Sequence, residues 1–115
     1  EITIDTVHQL LQDLFRNFNK VITLDEIQKK VAEFYNIKMA DMHSARRTRD
    51  ITRPRQIAMY ISKRLTSKSL PEIGRSFGGR DHTTVMHAIK AIEKLIITDP
   101  SIEEDLKILE NLLSK

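Results

Sequence analysis

The chain has 115 residues, of which 40% are hydrophobic and 30% charged, with four His, no Cys, no Trp and a formal net charge of +3. That length suits one domain with a modest core. The lack of cysteine excludes disulfides and thiolate metal sites and fits a reducing, cytoplasmic compartment, and no stretch approaches the roughly 18 apolar residues of a membrane span. No signal peptide is visible, and because the chain starts at Glu1 rather than Met it is expected to be a piece of a longer protein.

Few breakers point to helices. Ile4, Val7, Leu11, Leu14 and Phe18 recur at helical spacing, predicting an amphipathic helix over 5–18. Thr23 opens a capping box with Glu26, and Leu24, Ile27, Val31 and Phe34 form the stripe of a helix ending near Asn36. Residues 38–44 predict a short helix, and 45–52, which lack a stripe, a loop. Pro54 suits the first turn of a helix over about 53–66, with Ile57, Ile61 and Leu65 inward. Ser69 and Glu72 form a second capping box, with Pro71 in the first turn, for a helix over 70–77 that Gly78-Gly79 stops. Asp81 is an N-cap; Val85, Ala88/Ile89, Ile92 and Leu95/Ile96 are the next stripe, broken by Asp99-Pro100. Ile102, Leu106, Leu109 and Leu113 mark a final helix. The expected architecture is all-α: a connecting helix over 1–20, then a multi-helix domain over 21–115 containing a helix-turn-helix.

Charge is segregated along this order. Residues 1–43 carry a net −2, residues 44–80 a net +8 and residues 81–115 a net −3. A local field of one sign is the footprint of a polyanion binder, although a solvated basic surface would read the same way.

Three constellations carry the functional reading. Two helices joined by a glycine turn can push the second helix's start into a major groove. There the sequence places Arg80, Asp81, His82, Thr83, Thr84 and His87, with Thr83, His87, Lys90 and Lys94 on one face. Thr methyls suit the thymine methyl, and Asp can accept from cytosine's amino group. A helix start also favours phosphate. The second constellation is the run Arg46, Arg47, Arg49, Arg53, Arg55. Arginine forks onto phosphates and suits the negative potential of a narrow minor groove, but such a loop can also contact phosphates only, or stay in solvent. The third is an outer face of the 53–66 helix bearing Arg55, Gln56 and Lys63, suited to phosphates or to plain solvation. Catalysis is not expected. Asp81-His82-Thr83 are neighbours at a helix start and do not converge, the four His lack metal-ligand spacing, and no phosphate-binding G-x-x-x-x-G-K-[ST] loop is present.

The run Ser69-Leu70-Pro71-Glu72-Ile73-Gly74 followed by Phe77-Gly78-Gly79-Arg80-Asp81-His82-Thr83-Thr84-Val85 resembles the C-terminal DNA-binding domain of the DnaA family, the bacterial chromosomal replication initiators. Arg46-Arg47 and Arg53-Pro54-Arg55-Gln56 match the same pattern. The resemblance covers about 21–113. It implies binding to DnaA boxes, with Arg47 in the minor groove, base contacts from Pro71, Asp81, His82 and Thr83, and phosphate contacts from Arg55, Gln56, Lys63 and Thr84. Arg46, Arg49, Ser69, Arg80, His87 and Lys90 complete the expected phosphate-contacting set. Ala45 stands where some members carry a further basic residue, which implies slightly weaker phosphate affinity in the loop. The resemblance also implies an upstream AAA+ ATPase module using ATP/ADP and magnesium, other copies of the initiator as partners, association of the connecting helix with acidic phospholipids, and a monomeric isolated domain. No cofactor or metal is expected within the chain itself. The alternatives are a helix-turn-helix transcription regulator and a basic helical module for an acidic protein or lipid surface.

Overall fold

Four helices start at a side-chain cap that the sequence supplies, at Thr23, Ser69, Asp81 and Asp99. The computed structural model describes residues 4–19, 22–45 and 47–114. Among the described residues there are seven helices and no strand: α1 (Ile4–Asn19), α2 (Leu24–Tyr35), α3 (Met39–His43), α4 (Arg49–Leu65), α5 (Leu70–Ser76), α6 (His82–Thr98) and α7 (Pro100–Leu113). The all-α architecture with a helix-turn-helix is therefore as expected. The boundary expected at residue 20, the side chains of Leu14 and Phe18, and Arg46 lie outside the described residues.

The caps form as their residue types require. Thr23 Oγ1 accepts from the Glu26 amide at 3.1 Å, and Asn36 ends α2 at φ 55°, a left-handed stop that Asn tolerates. Ser69 Oγ accepts from the Glu72 amide at 3.3 Å while the Ser69 amide donates to Glu72 Oε1. Asp99 Oδ1 accepts from the Ser101 amide and starts α7. The inner faces then close on one core containing Ile27, Val31, Ile57, Ile61, Ile73, Phe77, Val85, Ile92, Leu106 and Leu109.

α4 departs from expectation and explains much of the site. It begins at Arg49, so the connection from α3 spans only 44–48. The extra turn forms because Thr48's carbonyl accepts from the amides of Ile51 and Thr52, and because Ile51, the lone apolar residue there, is buried at 1% exposure. One buried side chain without a periodic partner gives no stripe to read. Pro54 consequently sits inside the helix rather than in its first turn. It removes the donor that another residue would offer Asp50's carbonyl, and its ring is buried. α4 packs against α2, α3, α5, α6 and α7, and Ile57, Ala58, Met59, Tyr60, Ile61 and Ser62 are all buried.

α1 is different. Its described apolar side chains, Ile4, Val7, Leu10 and Leu11, are exposed.

Candidate nucleic-acid interface

The turn between α5 and α6 rests on glycines, and at Gly74 and Gly78 there is no room for a side chain. Gly78 and Gly79 have φ of 85° and 75°, a region closed to most side chains. Arg80's amide returns to the Gly74 carbonyl at 2.9 Å. A methyl group on Gly74 would lie 2.1 Å from Arg80's carbonyl oxygen, and one on Gly78 would lie 2.3 Å from that of His43. The turn is thus pressed against the end of α3 as well as against α5.

This turn aims the start of α6 outward. Asp81 caps the helix, its Oδ1 accepting from the Thr84 amide at 3.0 Å and from the hydroxyls of Thr83 and Thr84. These bonds, the Thr83 hydroxyl first, hold the Asp81 carboxyl below its usual range, so it stays ionised. Asp81, His82, Thr83, Thr84, His87, Lys90 and Lys94 are all exposed, while Val85, Ala88 and Ile92 face the core. Pro71 and Ser69, at the start of α5, are exposed too.

Beside this turn, between α4, α6 and the 44–48 connection, lies a cleft of about 280 Å³ lined by Arg47, Thr52, Arg55, Gln56, Met59, Arg80, Thr84, His87 and Ala88. Its lining gathers three guanidinium groups and no carboxylate. Two of its polar atoms, Thr52 Oγ1 and Arg80 Nε, are buried without a hydrogen-bond partner in the protein. Such atoms are costly unless something fills their valence. The Arg55 guanidinium is held below its ordinary value by burial first and by Arg80's charge next, with Arg47 adding and Asp41 opposing. Cations crowded to that degree favour an anion among them.

Arg55 corrects the sequence reading. It does not lie on an outer face: it is 4% exposed. Its Nη1 donates to the carbonyl of Ser44 at 2.6 Å and approaches that of Asp41 at 3.3 Å. Gln56 is half-buried at the cleft, and Lys63 is exposed as expected. Arg49 stands at the start of α4 and lines an adjoining hollow with Thr52 and Arg53. The structure therefore brings Arg47, Arg55, Gln56, Arg80, Thr84 and His87 to one cleft, whereas Lys63, Ser69, Pro71 and Lys90 do not line it.

Sequence reasoning missed two features of this region. Thr52 was expected in a loop and carried no signal. Gln28, 2% exposed on α2, donates to the Ser76 carbonyl at 2.8 Å, and its Oε1 lies 2.9 Å from His43 Nε2. With the amide nitrogen on a carbonyl, Oε1 accepts and His43 Nε2 donates. One buried amide thereby ties α2 to the ends of α3 and α5.

A glycine-turned helix pair whose second helix presents its first turn to solvent makes this a helix-turn-helix domain. Residues 24–92 match the family model described as Bacterial dnaA protein helix-turn-helix, and the chain belongs to that family. Among the curated relatives are proteins named Chromosomal replication initiator protein DnaA. That of Ehrlichia ruminantium (strain Gardel) is 61% identical over 112 residues, 97% of this chain and 24% of the relative. Those of Cereibacter sphaeroides (strain ATCC 17029 / ATH 2.4.9) and Rickettsia canadensis (strain McKiel) are each 53% identical over 113 residues, 98% of this chain and 25% and 24% of the relatives respectively. The chain thus spans about a quarter of the length of the curated relatives it matches.

Proposed function

We propose that this chain binds double-stranded DNA sequence-specifically, at DnaA boxes of a replication origin, as the DNA-reading part of an initiator. The observation that carries the reading is the cleft: guanidinium groups, buried donors and no carboxylate, set directly beside the exposed start of a helix-turn-helix. α6 enters the major groove by its first turn, where Asp81, His82 and Thr83, with Pro71 from α5, meet base edges and thymine methyls. Arg47, exposed on the 44–48 connection, enters the adjacent minor groove. A backbone phosphate passes over the cleft, held by Gln56, Thr84 and His87, with Arg55 and Arg80 supplying charge from its floor and wall. Arg46, Arg49, Lys63, Ser69 and Lys90 meet further phosphates, which position the domain without reading sequence.

The relatives' name supports a role in starting chromosomal replication. In this reading an ATPase module using ATP or ADP with magnesium precedes the chain in the whole protein. Further copies of that protein are its partners on the origin, and its place is the bacterial cytoplasm. α1 joins the two parts, and its exposed Ile4, Val7, Leu10 and Leu11 suit association with acidic phospholipid.

Competition between a DnaA-box duplex and a shuffled duplex of equal length is the test, with affinity followed against salt. Preference for the box, with log K falling against log salt at a slope of about −5 for roughly six neutralised phosphates, supports the reading. Equal affinity for both duplexes, or tighter binding to anionic vesicles at matched salt, overturns it.

A further inference from the structure

The end of α3 is a meeting point that a pair of independent DNA contacts would not require. The Ser44 carbonyl, first in the connection that carries Arg47, accepts from two guanidinium groups at once. One is Arg55 of α4; the other is Arg80, the residue before the α6 N-cap. One residue earlier, the His43 carbonyl lies where only a glycine at 78 leaves room. His43's ring is held in turn through Gln28 to Ser76 of α5. The connection and the helix-turn-helix turn are therefore bolted to the same two residues from opposite sides.

We infer that Arg80 is a positioning residue, whose donation to the Ser44 carbonyl fixes the reach of the Arg47 connection relative to the first turn of α6, so that minor-groove reading depends on the helix-turn-helix turn. This rests on the two-groove reading above. The physical argument is geometric. A guanidinium is a planar fork with directional donors, and one aimed at a carbonyl restrains a backbone in a way a mobile ammonium does not. A shift of an ångström in the connection would misplace Arg47's own fork over a base step, and contacts of that kind decide discrimination. A lysine keeps the charge that Arg80 lends to the phosphate over the cleft but not the directed donation to Ser44, so the two roles can be separated.

The test is a double-mutant cycle between Arg80→Lys and Arg47→Ala on the 115-residue chain. Affinity is measured for the preferred duplex and for duplexes with single A·T to G·C replacements. The pairs at which wild type discriminates and Arg47→Ala does not define the connection's footprint. If Arg80 positions Arg47, Arg80→Lys lowers discrimination within that footprint by roughly tenfold. It leaves discrimination at the pairs under α6 and the salt slope unchanged, and it adds nothing in the Arg47→Ala background. If Arg80 only neutralises a phosphate, Lys keeps that charge and discrimination within the footprint stays at the wild-type level; that result overturns the inference. Amide hydrogen exchange without DNA gives a second readout. Arg80→Lys should speed exchange in 44–48 while α2 and α7 keep wild-type protection; unchanged exchange there also overturns it. A wild-type chain that shows no duplex preference would defeat the two-groove reading itself, a result separable from failure of the cycle.

Discussion

The first turn of α6 and the junction between α3 and α4 lie side by side, yet they are made in opposite ways. The α6 turn is local: Asp81 caps its own helix, and every polar side chain from Asp81 to Thr84 is exposed. The junction is non-local: Arg55 reaches back 11 and 14 residues to carbonyls of Ser44 and Asp41, and Arg80 reaches Ser44 across 36. A side chain that satisfies its neighbours is free to meet a ligand, whereas one recruited to distant backbone becomes part of the frame that aims it.

Substitutions at the turn should sharpen this contrast most. Gly78→Ala combines a left-handed φ with a collision against His43's backbone, and should destabilise by about 4 kcal/mol in chemical denaturation. Gly79→Ala shares the positive φ but has open space around it, and should cost about 1 kcal/mol. Equal effects would mean that the turn does not press on α3. Next is Arg55→Met, which takes a charged donor from the Asp41 and Ser44 carbonyls, Ser44's keeping Arg80, and should cost about 2–3 kcal/mol. Were Arg55 the solvated surface residue its sequence suggests, the cost would stay within about 0.5 kcal/mol.

On the α6 side the expected effects fall on recognition rather than folding. Thr83→Ala should keep the melting temperature near wild type and reduce discrimination by about 1–3 kcal/mol at one or two base pairs. Uniform loss on cognate and shuffled duplexes would remove Thr83 from base reading. The smallest effect is in acid. Asp81, Asp99 and Glu72 all cap helices and are all held below their ordinary values of 3.8, 3.8 and 4.5, chiefly by the Thr83, Ser101 and Ser69 hydroxyls respectively. Lowered carboxyl values stabilise the fold above the ordinary range, and that contribution is lost as pH falls through the folded-state values. Thermal melts should therefore show no contribution from these groups to pH dependence between 7 and 5, and a decline below about pH 4. Asp81→Asn, which keeps an accepting oxygen, should flatten the α6 share of that decline.

How much of this was legible follows the same division. Caps are three- or four-residue patterns, so Thr23, the Ser69/Glu72 box and Asp81 could be read directly, and the stripes of α6 and α7 placed Val85, Ile92, Leu106 and Leu109 inside. The glycine turn, the exposed polar start of α6 and the basic connection were legible for the same reason. Arg55 was not, because a guanidinium counts as surface until two carbonyls close on it. Gln28 is polar and no local pattern marks it for burial, yet a carbonyl and an imidazole partner it inside. The first turn of α4 was hidden because Ile51 anchors it alone. In each case the missing information was tertiary: which backbone oxygens the fold would bring within reach.

The acceptor at Ser44 is a main-chain oxygen, and that has a practical consequence for anyone surveying this region by substitution. Every amino acid supplies that atom, so a scan of position 44 would leave the oxygen untouched and could pass it over. The dependence would surface only in the donors on the far side, among residues that look like ordinary surface arginines in the written sequence.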